Sequence, residues 1–413
     1  MIGSLWAGIS GLNANTTAMT VIGDNIANVN TTAYKSNSSS FANMLSQSIG
    51  GGGGANNIGR GVEFVGAVPY WNQGSIETTS NPTDLAINGR GFFCLQDSTG
   101  ASFYTRAGGF SFDRVGLLKN ADGLNVMGYP LDSNGNIGAI SEINIPAQST
   151  TPSSQTTEFT IDMNLDGTIS NSSETYTTTL NVYDSLGNTI PVTTTFTNDG
   201  ANGEWTVSAT IPDSIGDSVA FDGSPSASFR FDTDGKLTAP GGDITLSLDL
   251  TNGADDLDIT WDLYDDGTPP VSHGDMTGYA SNSAVTFQTQ DGYGAGVLQD
   301  VSVDIDGNVV GSYSNGLIKP LYQVAIYDFT NYFGLSKMGG NLYAETLASG
   351  AALQGVANHG QAGSISAGSL EMSNVDLASE FVKMITTQRA FQANSRVITT
   401  SDEILSELIN LKR

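Results

Sequence analysis

Hydrophobic residues recur every seven positions at both ends of the chain. The C-terminal stretch, residues 371–413, contains neither Gly nor Pro, and the N-terminal stretch carries the same period. A seven-residue step puts one apolar side chain on the same line of a helix every two turns. The pattern therefore predicts two terminal helices, each with a narrow apolar seam, that pair with each other. The candidate assembly residues on these seams are Leu5, Ile9, Leu12, Met19, Ile26, Leu377, Phe381, Met384, Phe391, Ile398, Leu405 and Ile409.

The first helix is predicted from about residue 4 to about residue 28 and contains Gly8, Gly11 and Gly23. Each of these glycines weakens an isolated helix by roughly 1 kcal/mol relative to alanine. Burial of the two seams is small beside the backbone entropy lost when both ends become ordered. We therefore expect both ends to be largely disordered in the monomer, and to become helical when neighbouring subunits cover their remaining faces.

Polar side chains lie on the line beside the apolar stripe of the second helix, at Gln388, Ser395 and Asp402. A simple two-stranded coiled coil prefers apolar side chains on that line. Two interpretations stay open: these residues fix the register between subunits, or they face solvent or a channel. Residues 400–403 also fit a capping box, but without a nearby Gly or Pro we expect the helix to continue through them.

Apolar and polar residues alternate with period two from residue 62 onward. Turn signals such as Asn88-Gly89 separate the runs, which is typical of antiparallel strands. From Pro146 the composition shifts toward Thr, Ser and Asp, and six alternating strands follow between residues 159 and 263, enough for a sandwich or barrel. From about residue 279 the pattern of the earlier unit returns. The predicted fold class is mostly β with terminal α-helices, and a second β domain is nested within the first.

These shifts divide the chain into four predicted parts. A helical, coiled-coil assembly domain combines residues 1–30 and 371–413, and residues 31–70 form a connection that includes the flexible glycine run 50–54. A first, discontinuous β domain combines residues 71–145 and 279–370. An acidic β domain, residues 146–278, is inserted into it. Such an insertion leaves the ends of the host domain adjacent, which suits chain ends that must meet.

The formal charge of −27 is unevenly placed. Residues 146–278 hold 21 acidic side chains against two basic ones, Arg230 and Lys236. Such a surface repels phosphate backbones and anionic lipids, so we expect neither nucleic-acid binding nor membrane insertion. No run of eighteen apolar residues exists, and the N-terminus lacks the features of a cleaved signal peptide. Cys94 is the only cysteine, and we expect it to pack as a small hydrophobe.

No constellation of catalytic or metal-binding residues stands out. Residues 162–167 match the first half of a calcium loop, but its twelfth position is Ser173, and Glu174 comes one residue late. A hairpin turn is favoured there, with calcium binding as the alternative. His273 and His359 are the only histidines, and neither has a Cys or His at the spacing of zinc ligands. The sequence thus predicts a protein that is not an enzyme and has no cofactor.

Three long blocks of sequence are distinctive. They are SLWAGISGL at residues 4–12 with IANVNTTAYK at 26–35, DLAINGRGFF at 84–93, and SNVDL at 373–377 with QRAFQANS at 388–395. These blocks resemble the bacterial flagellar rod and hook family of axial proteins. Within that family, the closing residues 402–413 and the large central insertion resemble hook subunits more than the shorter rod proteins.

The resemblance implies a structural role outside the cell. It implies export through the flagellar secretion channel without signal cleavage, followed by polymerisation into a curved tube that passes motor torque to the filament. The implied partners are further copies of the chain, the distal rod protein, the hook cap, the hook–filament junction proteins and the export apparatus. Two alternatives stay open: a distal rod or other axial protein of the same family, and, from a different class, a secreted calcium-binding adhesion module.

Overall fold

The chain folds mostly into β-sheet, with one long helix near each end. A computed structural model describes residues 2–44, 47–48, 57–58, 60–132, 135–168, 174–200, 204–264 and 272–410. Two compact units are present: unit 1 comprises Met1–Ala147, Asp300–Ser312 and Ile318–Arg413, and unit 2 comprises Gln148–Gln299 and Tyr313–Leu317. The predicted fold class is confirmed. The finer four-part division stays a prediction.

The terminal helices are α1, Ile2–Ala27, and α2, Leu377–Asn410. Asp376 precedes α2, and its Oδ1 accepts hydrogen bonds from the backbone N–H groups of Ala378 at 2.9 Å and Ser379 at 3.3 Å. A carboxylate at this position satisfies donors that have no partner within the helix, which explains why α2 begins here. The helix then continues without interruption through residues 400–403, as the absence of Gly and Pro predicted.

Unit 1 is built around one sheet. Strand β7 lies at its centre and pairs with β8, β11 and β27, and its residues 92–95 are buried on both faces. Within the unit the strands follow the order β26-β27-β11-β7-β8-β29-β28, and two small sheets, β31-β6 and β32-β5, lie apart from it. The strands before the insertion are β1 Asn37–Asn43, β2 Gln47–Ser48, β3 Asn57–Ile58, β4 Val62–Pro69, β5 Ile76–Thr78, β6 Leu85–Asn88, β7 Phe92–Gln96, β8 Ser102–Thr105, β9 Ser111–Phe112, β10 Leu118–Lys119, β11 Asn125–Pro130 and β12 Ser141–Glu142.

The returning part of the chain adds the remaining strands and one 3-10 helix, Tyr332–Gly334. A cluster of aromatic rings forms the core here, with Phe92 and Phe329 at 5.8 Å and Tyr104 and Phe329 at 4.8 Å between ring centroids. Cys94 lies in the same cluster, and burial raises the pKa of its thiol to about 12, so it packs as the small hydrophobe predicted. The returning strands are β26 Asn308–Tyr313, β27 Ile318–Asp328, β28 Ser336–Gly339, β29 Leu342–Ala344, β30 Leu353–Val356, β31 Ser364–Ala367 and β32 Ser369–Glu371.

Unit 2 contains two main sheets whose strands alternate apolar and polar side chains. One sheet has the order β18-β21-β22-β14-β23 with β24 beside β14, and the other has the order β15-β16-β17-β19-β20. All six strands predicted between residues 159 and 263 form, as β14, β15, β16, β17, β21 and β22. The strands of this part are β13 Thr150–Thr151, β14 Glu158–Asn164, β15 Thr175–Tyr183, β16 Thr189–Asn198, β17 Glu204–Thr210, β18 Gly216–Phe221, β19 Ala227–Phe231, β20 Leu237–Ala239, β21 Ile244–Leu250, β22 Leu257–Trp261, β23 Met276–Thr277, β24 Ala284–Gln290 and β25 Gly296–Val303.

The segment 31–70, predicted to be a connection, contains a hairpin. Strands β1 and β4 pair antiparallel from Asn37 opposite Pro69 to Asn43 opposite Val62. The alternation from residue 62 onward indicated a strand here, but alternation alone does not reveal which strand it will pair with. The glycine run 50–54 lies outside the described residues.

Candidate functional site

The two terminal helices pack against each other in antiparallel orientation. A Cβ added at Gly8 would lie 3.1 Å from Cγ1 of Ile398, and one at Gly11 would lie 2.8 Å from Nδ2 of Asn394. Further along α1, Nδ2 of Asn25 donates to Oε2 of Glu380 at 3.3 Å. Residue numbers therefore rise along α1 as they fall along α2. The missing side chains of Gly8 and Gly11 let the helices approach closely.

The enclosed residues of each helix recur at steps of three and four, which is the spacing of helices that pack along a seam. On α2 they include both apolar and polar side chains, whereas on α1 most of them are small. The enclosed or half-enclosed residues of α2 are Glu380, Met384, Thr387, Ala390, Phe391, Asn394, Ser395, Ile398, Ser401 and Leu405. The buried residues of α1 are Gly8, Gly11, Ala14, Ala18, Ile22 and Asn25, and Asn15 is half-buried beside them.

The predicted seam residues fall into three groups. On α2, four lie on the enclosed line: Met384, Phe391, Ile398 and Leu405. Two are exposed, Leu377 at 40% and Phe381 at 50%, and the side chain of Ile409 lies outside the described part of the chain. On α1, all five lie beside the enclosed line and are half-buried: Leu5, Ile9, Leu12, Met19 and Ile26.

Two features of this packing lie beyond what the apolar period alone indicates. The α1 line that faces α2 is the one with the smallest residues, because close approach of two helices requires little side-chain volume between them. Of the polar residues predicted beside the apolar stripe of α2, Gln388 and Asp402 are exposed and Ser395 is half-buried. The polar residues three positions after the apolar stripe, Thr387 and Asn394, also lie in the seam. A search for small residues at a seven-residue spacing would have found this line of α2 and the small-residue line of α1.

A buried ion cluster lies where the helices join the sheets of unit 1. The Glu371 carboxylate forms two ion pairs. Its Oε1 lies 2.5 Å from Lys35 Nζ, and its Oε2 lies 3.1 Å from Arg106 Nη1. All three side chains are buried, and the backbone N–H of Gly74 donates to Glu371 Oε1 at 3.0 Å. Glu371 ends β32 shortly before α2, Lys35 follows α1, and Arg106 follows β8. The cluster thus ties both helices to the β-sheets of the unit.

The cations of this cluster have further partners. Lys35 Nζ donates to the carbonyl oxygen of Asn72 at 2.9 Å, and Arg106 donates to the carbonyl oxygen of Gly89 and places its guanidinium 5.7 Å from the ring centroid of Phe92. Burial lowers the pKa of Lys35, and the facing carboxylate of Glu371 opposes that shift. Two cations and one carboxylate in a buried site depend strongly on one another, because removing the anion leaves both cations uncompensated.

Neither the apolar period nor the candidate chemistry of the sequence points to this cluster. Lys35 stands out only as part of the block of residues 26–35 that resembles the axial protein family. A signal was nevertheless present: Lys35 is the only charged residue between Asp24 and Arg60. An isolated charge in a long uncharged stretch is a candidate for a buried ion pair, since charged residues are almost never fully buried without a partner.

Large apolar side chains remain exposed on the helix pair, on the sides of α2 away from the seam. Exposed fractions range from 40% for Leu377 to 62% for Val382, and Trp6 on α1 is 63% exposed. A concentration of apolar side chains like this marks an interaction surface. The exposed apolar set of α2 consists of Leu377, Phe381, Val382, Ile385, Val397 and Ile404.

Little in the described part of the chain suggests chemistry. No group of three or more His, Cys, Asp or Glu residues there has an arrangement that could hold a metal ion. In the calcium-like loop, Asp166 Oδ1 accepts from the backbone N–H of Thr168 at 2.8 Å and from its hydroxyl at 2.6 Å, as in a turn, while Ser173 lies outside the described residues. Neither described helix is long and apolar enough to cross a membrane.

Four family models match successive parts of the chain. They are the flagella basal body rod protein at residues 5–35, the flagellar hook protein FlgE/F/G D1 domain at 86–171, the flagellar basal body protein FlaE D2 domain at 166–293, and the flagellar basal body rod FlgEFG protein C-terminal at 366–411. The matches include both terminal helices and most of unit 2. They agree with the blocks of sequence in which the resemblance was first seen.

Similar proteins cover the full length of the chain. The flagellar hook protein FlgE of Salmonella typhimurium is 35% identical over 420 residues, covering 98% of each chain, and that of Borreliella burgdorferi is 33% identical over 454 residues, covering 100% of each. The crystal structure of Helicobacter pylori flagellar hook protein FlgE2 is similar in fold, with a TM-score of 0.50 at 16% identity, covering 70% of this chain and 98% of that one. The chain belongs to the family of flagellar hook proteins.

Proposed function

We propose that this chain is a structural subunit of the bacterial flagellar hook that polymerises outside the cell into a curved helical tube. The tube acts as a joint that passes torque from the motor and rod to the filament. Membership of the hook protein family supports this function. The structural observation that carries the proposal is the apolar surface left exposed on the paired terminal helices.

The exposed apolar set of α2 and Trp6 of α1 form the assembly surface in this proposal. Water contact with several large apolar side chains is unfavourable, by roughly 25 cal/mol for each Å² of apolar area. Neighbouring copies that cover these side chains remove that cost. When such a contact joins two different surfaces of the same chain and does not close into a ring, the product is an open helical polymer.

The composition of the seam supports ordering of the helices upon assembly. Most enclosed residues of α1 are small, and half of the enclosed residues of α2 are polar. The pair therefore buries little apolar area within one chain, and much of the stabilisation of both helices comes from the neighbours. The seam residues predicted from the sequence, on both helices, take part by packing in the pair or against these neighbours.

The buried ion cluster gives the helices a fixed attachment to unit 1. A joint that carries torque needs subunits in which the assembling part and the body move together. The ion pairs of Glu371 with Lys35 and Arg106 connect three segments that are distant in sequence. Hydrogen bonds fix the positions of these ions, so the attachment resists displacement more than apolar contacts alone would.

The implied partners follow from this role and belong to the same proposal. Besides further copies of itself, the subunit contacts the distal rod protein at one end of the tube and the hook–filament junction proteins at the other. The hook cap and the export apparatus serve its assembly. The subunit works outside the cell and has no enzymatic role.

Electron microscopy of induced polymers tests the proposal. Purified chain is concentrated with a precipitant, and tubes are expected from the full chain and not from a chain lacking residues 1–30. Helical circular dichroism should increase on polymerisation. The double variant Phe381→Ser/Ile385→Ser should raise the concentration needed for tubes, whereas the control Leu186→Ser, at a 60% exposed position in unit 2, should not.

The same material separates the alternatives. If the intact chain stays a soluble monomer with ordered helices at high concentration, the assembly function is wrong. Added calcium that raises the melting temperature of unit 2 by several degrees would instead favour a calcium-binding adhesion module. A distal rod protein would form short, straight tubes without curvature.

A further inference from the structure

Two close contacts between the terminal helices have the same separation on both helices. Gly11 faces Asn394, where an added Cβ would lie 2.8 Å from Nδ2 and 3.0 Å from both Cγ and Oδ1. Asn25 donates to Glu380 at 3.3 Å. Gly11 and Asn25 are fourteen residues apart, and so are Glu380 and Asn394. Two heptads therefore separate the two contacts on either helix.

This shared period arranges the seam in layers. Each layer is a pair of facing residues, and the layers fall on two lines that run along the seam. On one line the facing side chains are small or polar. On the other line an α1 residue faces a large apolar residue of α2. We call these the polar line and the apolar line. The polar line contains the observed contacts of Gly11 with Asn394 and of Asn25 with Glu380. The seven-residue period assigns two further layers to it, Ser4 with Ser401 and Ala18 with Thr387. The apolar line contains the observed contact of Gly8 with Ile398. The same period assigns Asn15 with Phe391 and Ile22 with Met384 to it.

The two lines differ in how well they define the register. A slip of one helix by seven residues keeps the same faces together, so it is the main competing alignment. The apolar line tolerates such a slip, because its α2 side chains are all large and apolar. The polar line does not, since a slip puts the Cβ of Ser4 or Ala18 against the Asn394 carboxamide. It also breaks the hydrogen bond between Asn25 and Glu380, although Asn25 keeps its bond to the carbonyl oxygen of Asn37 and Glu380 keeps its ion pair with Lys383.

We propose that Asn394 is a positioning residue that, together with Gly11, selects the single alignment of α1 on α2 that is competent for assembly. The inference rests on the proposed function. Trp6 on α1 lies between the levels of Val397 and Ile404 on α2 in the observed alignment. A seven-residue slip displaces Trp6 by about 10 Å along the pair. The neighbouring copy would then meet a different arrangement of apolar side chains.

Three single variants and one double variant test whether Gly11 and Asn394 set the alignment. Gly11→Ala introduces the Cβ that would clash with Asn394, and Gly11→Ala/Asn394→Ala removes the group with which it clashes. Asn394→Ala alone serves as the reference. Gly23→Ala is the matched control, because nothing lies within 4 Å of a Cβ at Gly23. Both alanines favour the isolated helix, so a loss at position 11 is not an effect of helix propensity.

The expected result is a pattern of loss and rescue. Gly11→Ala raises the protein concentration needed for tubes at least tenfold, and the double variant returns it to within about threefold of the parent. Gly23→Ala and Asn394→Ala change it by no more than about threefold. If Gly11→Ala behaves like Gly23→Ala, or if the double variant is no better than Gly11→Ala, the proposal is overturned.

A disulfide across the next layer of the polar line reports the register itself. Cysteines replacing Ser4 and Ser401 should cross-link within one chain in tubes of the otherwise unchanged protein. The cross-link should be lost with Gly11→Ala and regained with Gly11→Ala/Asn394→Ala. A cross-link that persists with Gly11→Ala contradicts the proposal. The alignment of the helices, and not their general stability, decides whether positions 4 and 401 lie close enough to cross-link.

The test remains decisive if the proposed function fails. A parent chain that never forms tubes refutes assembly, and its ordered helices can then be studied in the monomer. The four variants are compared there through the melting of the helical circular-dichroism signal. The proposal is supported if Gly11→Ala lowers the melting temperature and the added Asn394→Ala substitution raises it again. Equal melting temperatures for Gly11→Ala and Gly23→Ala overturn it.

Discussion

The core of unit 2 and the seam of the terminal helices use their residues in opposite ways. Unit 2 encloses the large side chains of its core, with Trp205, Trp261 and Phe229 all buried. The helix pair encloses mainly small and polar residues and leaves Trp6 and Val382 exposed. A domain that buries its own apolar area needs no partner to fold. A pair that keeps apolar side chains outside is stabilised by whatever covers them.

The largest effect that sharpens this comparison is expected at Trp261. The Trp261 ring lies 5.1 Å from Phe159 and 5.3 Å from Phe229 between centroids and is fully buried. Trp261→Ala should lower the free energy of unfolding of unit 2 by about 3–5 kcal/mol, because it leaves a large cavity. Denaturant unfolding followed by circular dichroism measures this loss. A smaller loss is expected for Trp261→Phe, which keeps a ring in place.

Trp6→Ala provides the opposite case. At 63% exposure, this side chain contributes little to the monomer, so the free energy of unfolding should change by no more than about 0.5 kcal/mol. The concentration needed for tubes should nevertheless rise. If Trp6→Ala destabilised the monomer as much as Trp261→Ala, the distinction between a self-sufficient core and an open seam would be wrong.

A somewhat smaller effect is expected at the base of the helices. Glu371→Gln keeps the shape of the side chain but leaves Lys35 and Arg106 buried without their anion. The free energy of unfolding of unit 1 should fall by about 3 kcal/mol, because a buried pair that loses one partner keeps an uncompensated charge. Denaturant unfolding of the variant and parent measures the difference.

Glu77→Gln is the matched control for that substitution. Glu77 lies on the neighbouring strand β5, opposite Leu370 on β32, and its side chain is exposed. The same chemical change there should alter the free energy of unfolding by less than about 0.5 kcal/mol. Equal losses for the two variants would show that the cluster does not hold the helices to unit 1.

The same contrast explains which features the sequence could predict. In unit 2 the alternation of apolar and polar residues follows from burial of one face of each sheet, so six strands could be placed from the pattern alone. Pairing partners could not be placed, because alternation carries no information about which strand lies beside which. The hairpin of β1 with β4 was missed for this reason.

In the helices, the period was predictable but the contact line was not. A search for large apolar residues chose Leu5, Leu12 and Met19, whereas α2 packs on the line that includes Gly8 and Gly11. Hydrophobic periodicity identifies helix faces that become buried, but it does not say against what. In a subunit that assembles, such a face can be buried against neighbouring copies of the chain. The large residues beside the seam are therefore evidence about the polymer more than about the single chain.

The smallest effect concerns the charges of unit 2. This unit holds 22 acidic residues against Arg230 and Lys236, a formal charge of −20 out of −27. Arg230 Nη2 lies 2.8 Å from Glu204 Oε1 across strands β19 and β17, but its side chain is 60% exposed. Arg230→Ala should therefore cost only about 0.2–1 kcal/mol of unfolding free energy.

Lys236→Ala separates the ion pair from the net charge. Lys236 is exposed, so its removal makes the same change in charge without breaking the contact with Glu204. The difference between the two variants, measured by denaturant unfolding in about 0.01 M salt, isolates the pair, and it should shrink in about 1 M salt as the Debye length falls from about 30 Å to about 3 Å. A loss above about 2 kcal/mol for Arg230→Ala would mean that surface ion pairs stabilise unit 2 comparably to its aromatic core. A loss within the expected range leaves the core as the source of its stability, and leaves the acidic surface free to act between copies, where like charges repel.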